Sequence, residues 1–311
     1  MSAAADGRPI PALSLGPVQY FWSRDFMLDF YAQVADWPVE IVYLGEVVCS
    51  KRRALRHDDW MDIAGRLTAA GKQVYLSTMT LIEAASELGA LRRLCRNGEF
   101  PVEANDIAAV YQLHRLGLPF VSGPAINVYN SRTLRKLHAL GLRRWVLPLE
   151  LGFDALTDLR KALPTVECEL FAWGRMPLAW SARCYTARSA GLAKDDCGML
   201  CAEDPDGRLI HTREDKPFLT LNGIQTQSAL TQNLAPHMPA IRDLGIDVLR
   251  LSPQAHSMGL VVRRFDELRR ADSVSTDALR SLDELAPVAT CDGYWRGTAG
   301  FDRPLGMDQR I

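Results

Sequence analysis

The segment Asp58–Met79, DDWMDIAGRLTAAGKQVYLSTM, holds one complete step from helix to strand. Trp60, Ile63, Ala64 and Leu67 recur at helical spacing and make one apolar stripe. Gly71 stands where a left-handed residue would end that helix. Directly beyond it, Gln73–Met79 reads as a short strand. A strand that is apolar on successive rather than alternate residues is covered on both faces, as in a parallel sheet lined by helices.

Outward from this segment the step repeats. Short apolar runs at Leu13–Val18, Glu40–Glu46, Pro101–Ala104, Pro119–Ser122, Arg144–Leu149, Glu167–Trp173 and Ile246–Ser252 are the other expected strands. Asp106–Leu116 reads as a helix capped by Asp106, with Ile107, Val110, Leu113 and His114 near helical spacing. Ser131–Leu140 reads as another, closed by Gly141. Gly71, Gly117, Gly141 and Gly245 each precede a strand, a recurring punctuation. Eight strands with crossover helices predict a (β/α)8 barrel of the TIM type, with a doubly wound sheet as the alternative.

The chain of 311 residues suits one such domain. Residues 1–11, with Pro9 and Pro11, read as a disordered lead-in, residues 12–300 as the barrel-like domain, and residues 301–311 as a tail. After the seventh strand the rhythm breaks. Residues 174–227 show no clean helix and contain Pro177, Pro205, Gly207 and Pro217. So long an insertion in a compact domain points to function, and loops that follow barrel strands lie on the face where active sites form. A net charge of −1 argues against a dedicated nucleic-acid binder. No apolar run is long enough to span a bilayer, and the start, MSAAADGRPIP, has no hydrophobic signal. The expected compartment is the reducing cytoplasm.

The insertion carries Cys184, Cys197 and Cys201, spaced C-x12-C-x3-C. Cys49 follows the second expected strand and so belongs to the same face. Seven cysteines, an odd number, in a reducing compartment favour metal binding over disulfides. Zinc prefers paired C-x2–4-C knuckles, and only Cys197 and Cys201 approach one. An iron–sulfur cluster is wider and accepts thiolates from separated elements. Iron–sulfur, zinc and unrelated cysteines all remain open on spacing alone. Cys95 and Cys168 read as small core hydrophobes, while Cys291 in CDGYWRG is a fifth candidate.

Lys51, Arg52 and Arg53 follow Cys49, and Arg183 precedes Cys184. They can neutralise an anionic cluster or bind a carboxylate substrate; the plain alternative is a solvated basic turn. Glu46, Glu103 and Glu150 end or follow strands and are candidate acid–base groups, whereas Asp106 is better read as a helix cap. Asn127, Tyr129 and Asn130 are candidate lining of the barrel mouth. His57, His114, His138, His211, His237 and His256 show no metal-ligand spacing.

The segment Glu169–Cys184, ELFAWGRMPLAWSARC, resembles the signature of the U32 peptidase family in Glu169, Phe171, Gly174, Ser181, Arg183 and Cys184. It departs at Pro177, where that signature has its first cysteine, and at Ala182, where it has glycine. These departures, with LSLGPV, YLGEVVCSKRRA, NGEFPVEANDIAAV, LPFVSGPAINVYN, FLTLNGIQTQS and CDGYWRGTAG, are similar to the family branch that serves ubiquinone biosynthesis. The resemblance implies a [4Fe-4S] cluster on Cys49, Cys184, Cys197 and Cys201. It implies a subunit of an oxygen-independent hydroxylase of the aromatic ring of polyprenylated ubiquinone precursors. It also implies a heterodimer with a UbiU-like homologous chain, a lipid-binding accessory protein, and prephenate as oxygen donor. A U32-type peptidase and a non-catalytic scaffold subunit are the competing readings.

Overall fold

A computed structural model describes residues 10–303. Most of the expected lead-in, 1–11, and of the tail, 301–311, lies outside the described residues. From the N-terminal side the elements run β1 (Ala12–Leu15), α1 (Arg24–Val34), β2 (Ile41–Leu44), α2 (His57–Ala69), β3 (Gln73–Ser77), α3 (Ala85–Cys95) and β4 (Val102–Ala104). Then follow α4 (Ile107–Arg115), β5 (Phe120–Ser122), α5 (Ser131–Ala139), β6 (Leu142–Val146), α6 (Phe153–Ala162) and β7 (Glu167–Trp180). After β7 come α7 (Tyr185–Ser189), β8 (Arg208–His211), β9 (Pro217–Asn222), β10 (Gln225–Asn233), α8 (Met238–Asp243) and β11 (Val248–Leu251). The last are α9 (Met258–Arg270), α10 (Thr276–Leu285) and β12 (Thr290–Cys291).

Strands β1 to β7 pair in parallel in chain order, and β11 pairs in parallel with both β7 and β1. Eight parallel strands thus close a (β/α)8 barrel. The four punctuating glycines, Gly71, Gly117, Gly141 and Gly245, all have positive φ, the conformation that ends a helix without a Cβ clash. Leu13, Leu15, Val42, Leu44, Leu142 and Leu249 meet the inner faces of the helices in the main core. On α4 the buried stripe is Ala109, Val110 and Leu113. Ile107, expected on that stripe, is 62% exposed: it lies one turn before Val110 but on the flank away from Leu113. Among the described residues no helix is long and apolar enough to cross a membrane.

The seventh strand does not stop at Trp173, where the expected strand ends. It continues to Trp180, and its second half pairs antiparallel with β10, followed by β9 and β8. Gly174 and Pro177 look like strand breakers, but each has a place here. Gly174 has φ +126°, and a Cβ on it would stand 2.5 Å from the Ser252 Cβ. Pro177 sits opposite Gln227, where the register shifts at a bulge. The insertion therefore holds a small sheet grown out of the barrel wall.

Candidate functional site

The barrel interior is polar at its centre. Arg250 of β11 lies beside Glu169 of β7 (Nε to Oε1, 2.7 Å) and Glu103 of β4 (Nη2 to Oε1, 2.6 Å). Ser14 donates to Glu169 at 2.6 Å, Tyr43 donates to its other oxygen at 2.5 Å, and Ser77 donates to Glu103 at 2.6 Å. The Arg250 guanidinium lies 4.1 Å from the centroid of the Tyr43 ring. Burial works to raise the Glu169 pKa, but Arg250 and Arg144 outweigh it and hold the carboxyl below its ordinary value. Glu103, a candidate acid–base group by position, is fully buried and engaged in this network; it is not free at the barrel mouth. Arg250 was missed in the sequence. Its only sign there is one charged residue inside the apolar run VLRL.

Above the rim the insertion brings the cysteines to the β2 side. Cys49 and Cys184 pack against the same apolar group of Val47, Val48 and Ile224. The short helix α7, capped by Cys184, packs against the segment Leu200–Ala202 that carries Cys201. Lys51, just after Cys49, pairs with Asp195, just before Cys197, and so ties the two segments together. These four cysteines are free and half-buried, whereas Cys95, Cys168 and Cys291 are buried. Cys291 sits among Leu149, Phe171, Met176 and Leu230, and burial pushes its thiol up to about 12. It belongs to the core and is remote in character from the other four.

Local backbone shapes this neighbourhood. Cys184 is the N-cap of α7, its sulfur accepting from the Ala187 N–H at 3.4 Å. Between Cys197 and Cys201 the chain turns left-handed twice, at Gly198 (φ 55°) and at Met199 (φ 56°, ψ 34°). Cys197 is right-handed (φ −81°, ψ −7°), and a right-to-left step of this kind turns successive N–H groups into an anion-binding concavity. A methionine held left-handed costs about 1–2 kcal/mol, so the turn is imposed by its surroundings.

No three of the described His, Cys, Asp or Glu side chains stand close enough to hold one metal ion. Thiolates round one zinc would lie roughly 3.8 Å apart, given Zn–S near 2.3 Å. A cubane spreads its thiolates more widely, and the four half-buried cysteines lie on segments that meet at the β2 rim.

The remaining candidates separate. Arg52 is 4% exposed and donates to the Gln19 carbonyl (2.7 Å) and Asn222 Oδ1 (2.6 Å), so it is no solvated turn residue. Lys51 bonds Asp195 at 2.5 Å and the Lys194 carbonyl at 3.0 Å. Arg53 and Arg183 are exposed. Glu46 accepts from the N–H groups of Val48 and Cys49, and burial raises its pKa against the pull of Arg52. Glu150 is exposed and accepts from Tyr129, whose own pKa burial and this bond push up to about 12. Asp106 caps α4 through the Ala108 N–H, and Asn130 caps α5 through the Thr133 N–H.

Residues 27–277 match the profile of peptidase family U32. The chain belongs to the U32 peptidase family. A relative called tRNA hydroxylation protein P, from Helicobacter pylori J99, is 38% identical over 126 residues, covering 37% of this chain and 29% of that protein. The protein of the same name from Escherichia coli K12 is 29% identical over 105 residues, covering 29% and 23%. This U32 chain thus spans less than a third of the length of either of these relatives. Among solved structures, the Bacillus subtilis spore coat polysaccharide biosynthesis protein spsE aligns over 99% of this chain and 78% of its own, with 8% identity and a TM-score of 0.45.

Proposed function

We propose that this U32 chain is a UbiV-type iron–sulfur subunit of an oxygen-independent hydroxylase that acts on the aromatic ring of polyprenylated ubiquinone precursors. The observation that carries the reading is that the half-buried Cys49, Cys184, Cys197 and Cys201 lie on segments that meet at one rim of the barrel, joined by the Lys51–Asp195 pair. Curated relatives named for hydroxylation support the reaction class. The partner is a UbiU-like homologous chain, with a lipid-binding accessory protein, and prephenate supplies the oxygen. The compartment is the cytoplasm.

In this reading the four cysteines hold a [4Fe-4S] cluster, which when bound supplies electron transfer or Lewis acidity toward oxygen. Arg52 and Lys51, just after Cys49 in the chain, would offset the charge of the thiolates, and the left-handed turn at Gly198 and Met199 would offer N–H groups to the sulfurs. Glu46, held by the Val48 and Cys49 N–H groups, fixes the backbone that presents Cys49. Arg183, exposed beside Cys184, is placed to meet a carboxylate substrate.

A peptidase reading finds less support. The engaged histidine rings meet the carbonyls of Leu140 and Leu142 and the Asp292 carboxylate, not a serine or cysteine. The names of the curated relatives favour a second reading, hydroxylation of tRNA. The net charge of −1 weighs against it, since binding to phosphate needs a basic footprint.

The test changes each of the seven cysteines singly to Ala, with anaerobic reconstitution. Iron, sulfide and the broad absorption near roughly 400 nm are lost for Cys49, Cys184, Cys197 and Cys201 and kept for Cys95, Cys168 and Cys291. Full cluster retention without Cys49 sinks the assignment, and one equivalent of zinc without iron replaces it. Ring hydroxylation is then assayed with and without the UbiU-like chain. Activity of the partner alone makes this chain a scaffold.

A further inference from the structure

The net charge of −1 hides an uneven spread. The chain carries 37 Asp and Glu, yet residues 107–149 contain none. That stretch makes α4, β5, α5 and β6. Its cations Arg115, Arg132, Arg135, Lys136 and Arg143 are all exposed, and among the described residues none of them meets a carboxylate. Elsewhere exposed cations find acidic partners, as Arg24 does in Asp59, Arg264 in Glu267 and Arg270 in Asp266.

Large apolar side chains are exposed on the same wall: Ile107, Tyr111, Leu116 and Leu118. Ile107, Tyr111 and Arg115 follow one another four residues apart along α4, so they share one flank. The Arg115 guanidinium lies 5.8 Å from the centroid of the Tyr111 ring. His114 Nδ1 lies 3.2 Å from the Leu140 carbonyl, so the ends of α4 and α5 abut and the two helices make one face.

Helix stability does not account for this face. Arg115 and Lys136 suit the negative ends of their helices, but Arg132 stands in the first turn of α5, where a cation opposes the dipole. Unpaired cations mixed with exposed aliphatic groups are the chemistry of a membrane interface. There the cations meet anionic head groups, and the apolar side chains enter the boundary with the acyl chains. A nucleic acid is held differently, because its bases stack on aromatic rings, and of these four apolar residues only Tyr111 offers one. Strand β6 is four strands from β2 either way round the barrel, so the face also lies opposite the rim that carries Cys49.

We propose that the outer face of α4 and α5 docks this chain on an anionic lipid bilayer, with its cations at the head groups and Ile107, Leu116 and Leu118 at the acyl boundary. The proposal does not rest on the hydroxylase reading.

The test uses the full chain purified anaerobically, with its partner where the two co-purify. The probes are vesicles of phosphatidylcholine alone, or mixed with phosphatidylglycerol, and binding is read by co-sedimentation. The mixed vesicles bind the chain at least about ten-fold more tightly than the neutral ones, and added salt weakens this binding. Arg132→Glu with Arg135→Glu lowers it at least about ten-fold, since each Lys or Arg near such a surface strengthens binding about five-fold. Ile107→Ser with Leu118→Ser lowers it several-fold. Arg213→Glu with Lys216→Glu makes the same change of charge on the exposed turn between β8 and β9, and leaves it unchanged. All three double variants keep the thermal midpoint and iron content of the parent. Equal binding to the two kinds of vesicle, unchanged binding in either of the first two variants, or an equal loss in the third overturns the proposal. So does binding of transfer RNA that R132E/R135E abolishes, without binding to vesicles, which makes the face a nucleic-acid surface. Loss of the partner from R132E/R135E, with no vesicle binding by the parent, makes it a protein interface and overturns the proposal as well.

Discussion

Arg250 and Glu169 are joined inside the barrel, Nε to Oε1 at 2.7 Å, with side-chain exposures of 3% and 0%. Taking charges this deep is tolerable only while they stay paired. Arg250→Met leaves two carboxylates, Glu169 and Glu103, without their shared cation. Breaking such a pair costs about 3–5 kcal/mol, whereas replacing both partners by apolar residues is often neutral. Urea unfolding is expected to show a loss of that size for the single variant, with part of it recovered when Glu169 and Glu103 also become apolar.

The same network sets the response to pH. The Glu169 carboxyl is held below its ordinary value, so its contribution is present above the unfolded pKa of about 4.3 and is lost as pH falls through the folded one. Stability is expected to hold from about pH 5 upward and to fall steeply below about pH 4. Tyr43 moves the other way: burial, then the Glu169 charge, raise it well above 10.0. Its contribution is present below the unfolded value and is lost as pH rises beyond it. Glu169→Gln is expected to flatten the acid limb and Tyr43→Phe the alkaline one, read by thermal unfolding across pH.

Met199 offers a test of the turn between Cys197 and Cys201. Met199→Gly removes the cost of a left-handed side chain and is expected to raise stability by up to about 1 kcal/mol. Met199→Val adds β-branching at the same φ and is expected to destabilise and to lower iron incorporation. Equal stability of the two variants would show that this backbone is not held left-handed.

Gly174→Ala is expected to cost about 1–3 kcal/mol, because φ +126° suits only glycine and the Ser252 side chain already fills the space. Hydrogen exchange should locate the damage in the outer half of β7 and in β10, with β2 to β5 unaffected.

Arg52 and Arg183 should part company. Arg52→Ala removes donors to Gln19 and Asn222 and is expected to cost about 1–3 kcal/mol and to impair cluster loading. Arg183→Ala is expected to change stability by less than about 0.5 kcal/mol. A drop in hydroxylation with normal stability and iron content would then place Arg183 at the substrate; unchanged activity would make it a surface charge.

The barrel was legible because its elements are local. The stripe Trp60, Ile63, Ala64 and Leu67 and the glycine after it need only a few neighbours to be read, and α2 and β3 stand within a residue or two of expectation. The small sheet of the insertion was not legible. Its strands carry Gln225, Gln227 and Gln232, which find partners in Gln19 and the Phe171 carbonyl far away in sequence. Nothing in a polar run says that such partners exist. The roles of Arg52 and Glu103 were hidden for the same reason: a charge is read as exposed until its distant counter-groups are known.

Strand β11 inserts between β7 and β1, with Leu249 opposite both Leu170 and Leu13. During synthesis the first strand therefore waits for one of the last. Until β11 leaves the ribosome, β1 and β7 are two raw sheet edges, and the whole cysteine-bearing excursion has already been made. Such edges invite wrong pairing. A nascent chain of this topology is expected to depend on chaperones. A truncation ending before Val248 should be captured by them, while one ending after Leu251 should escape.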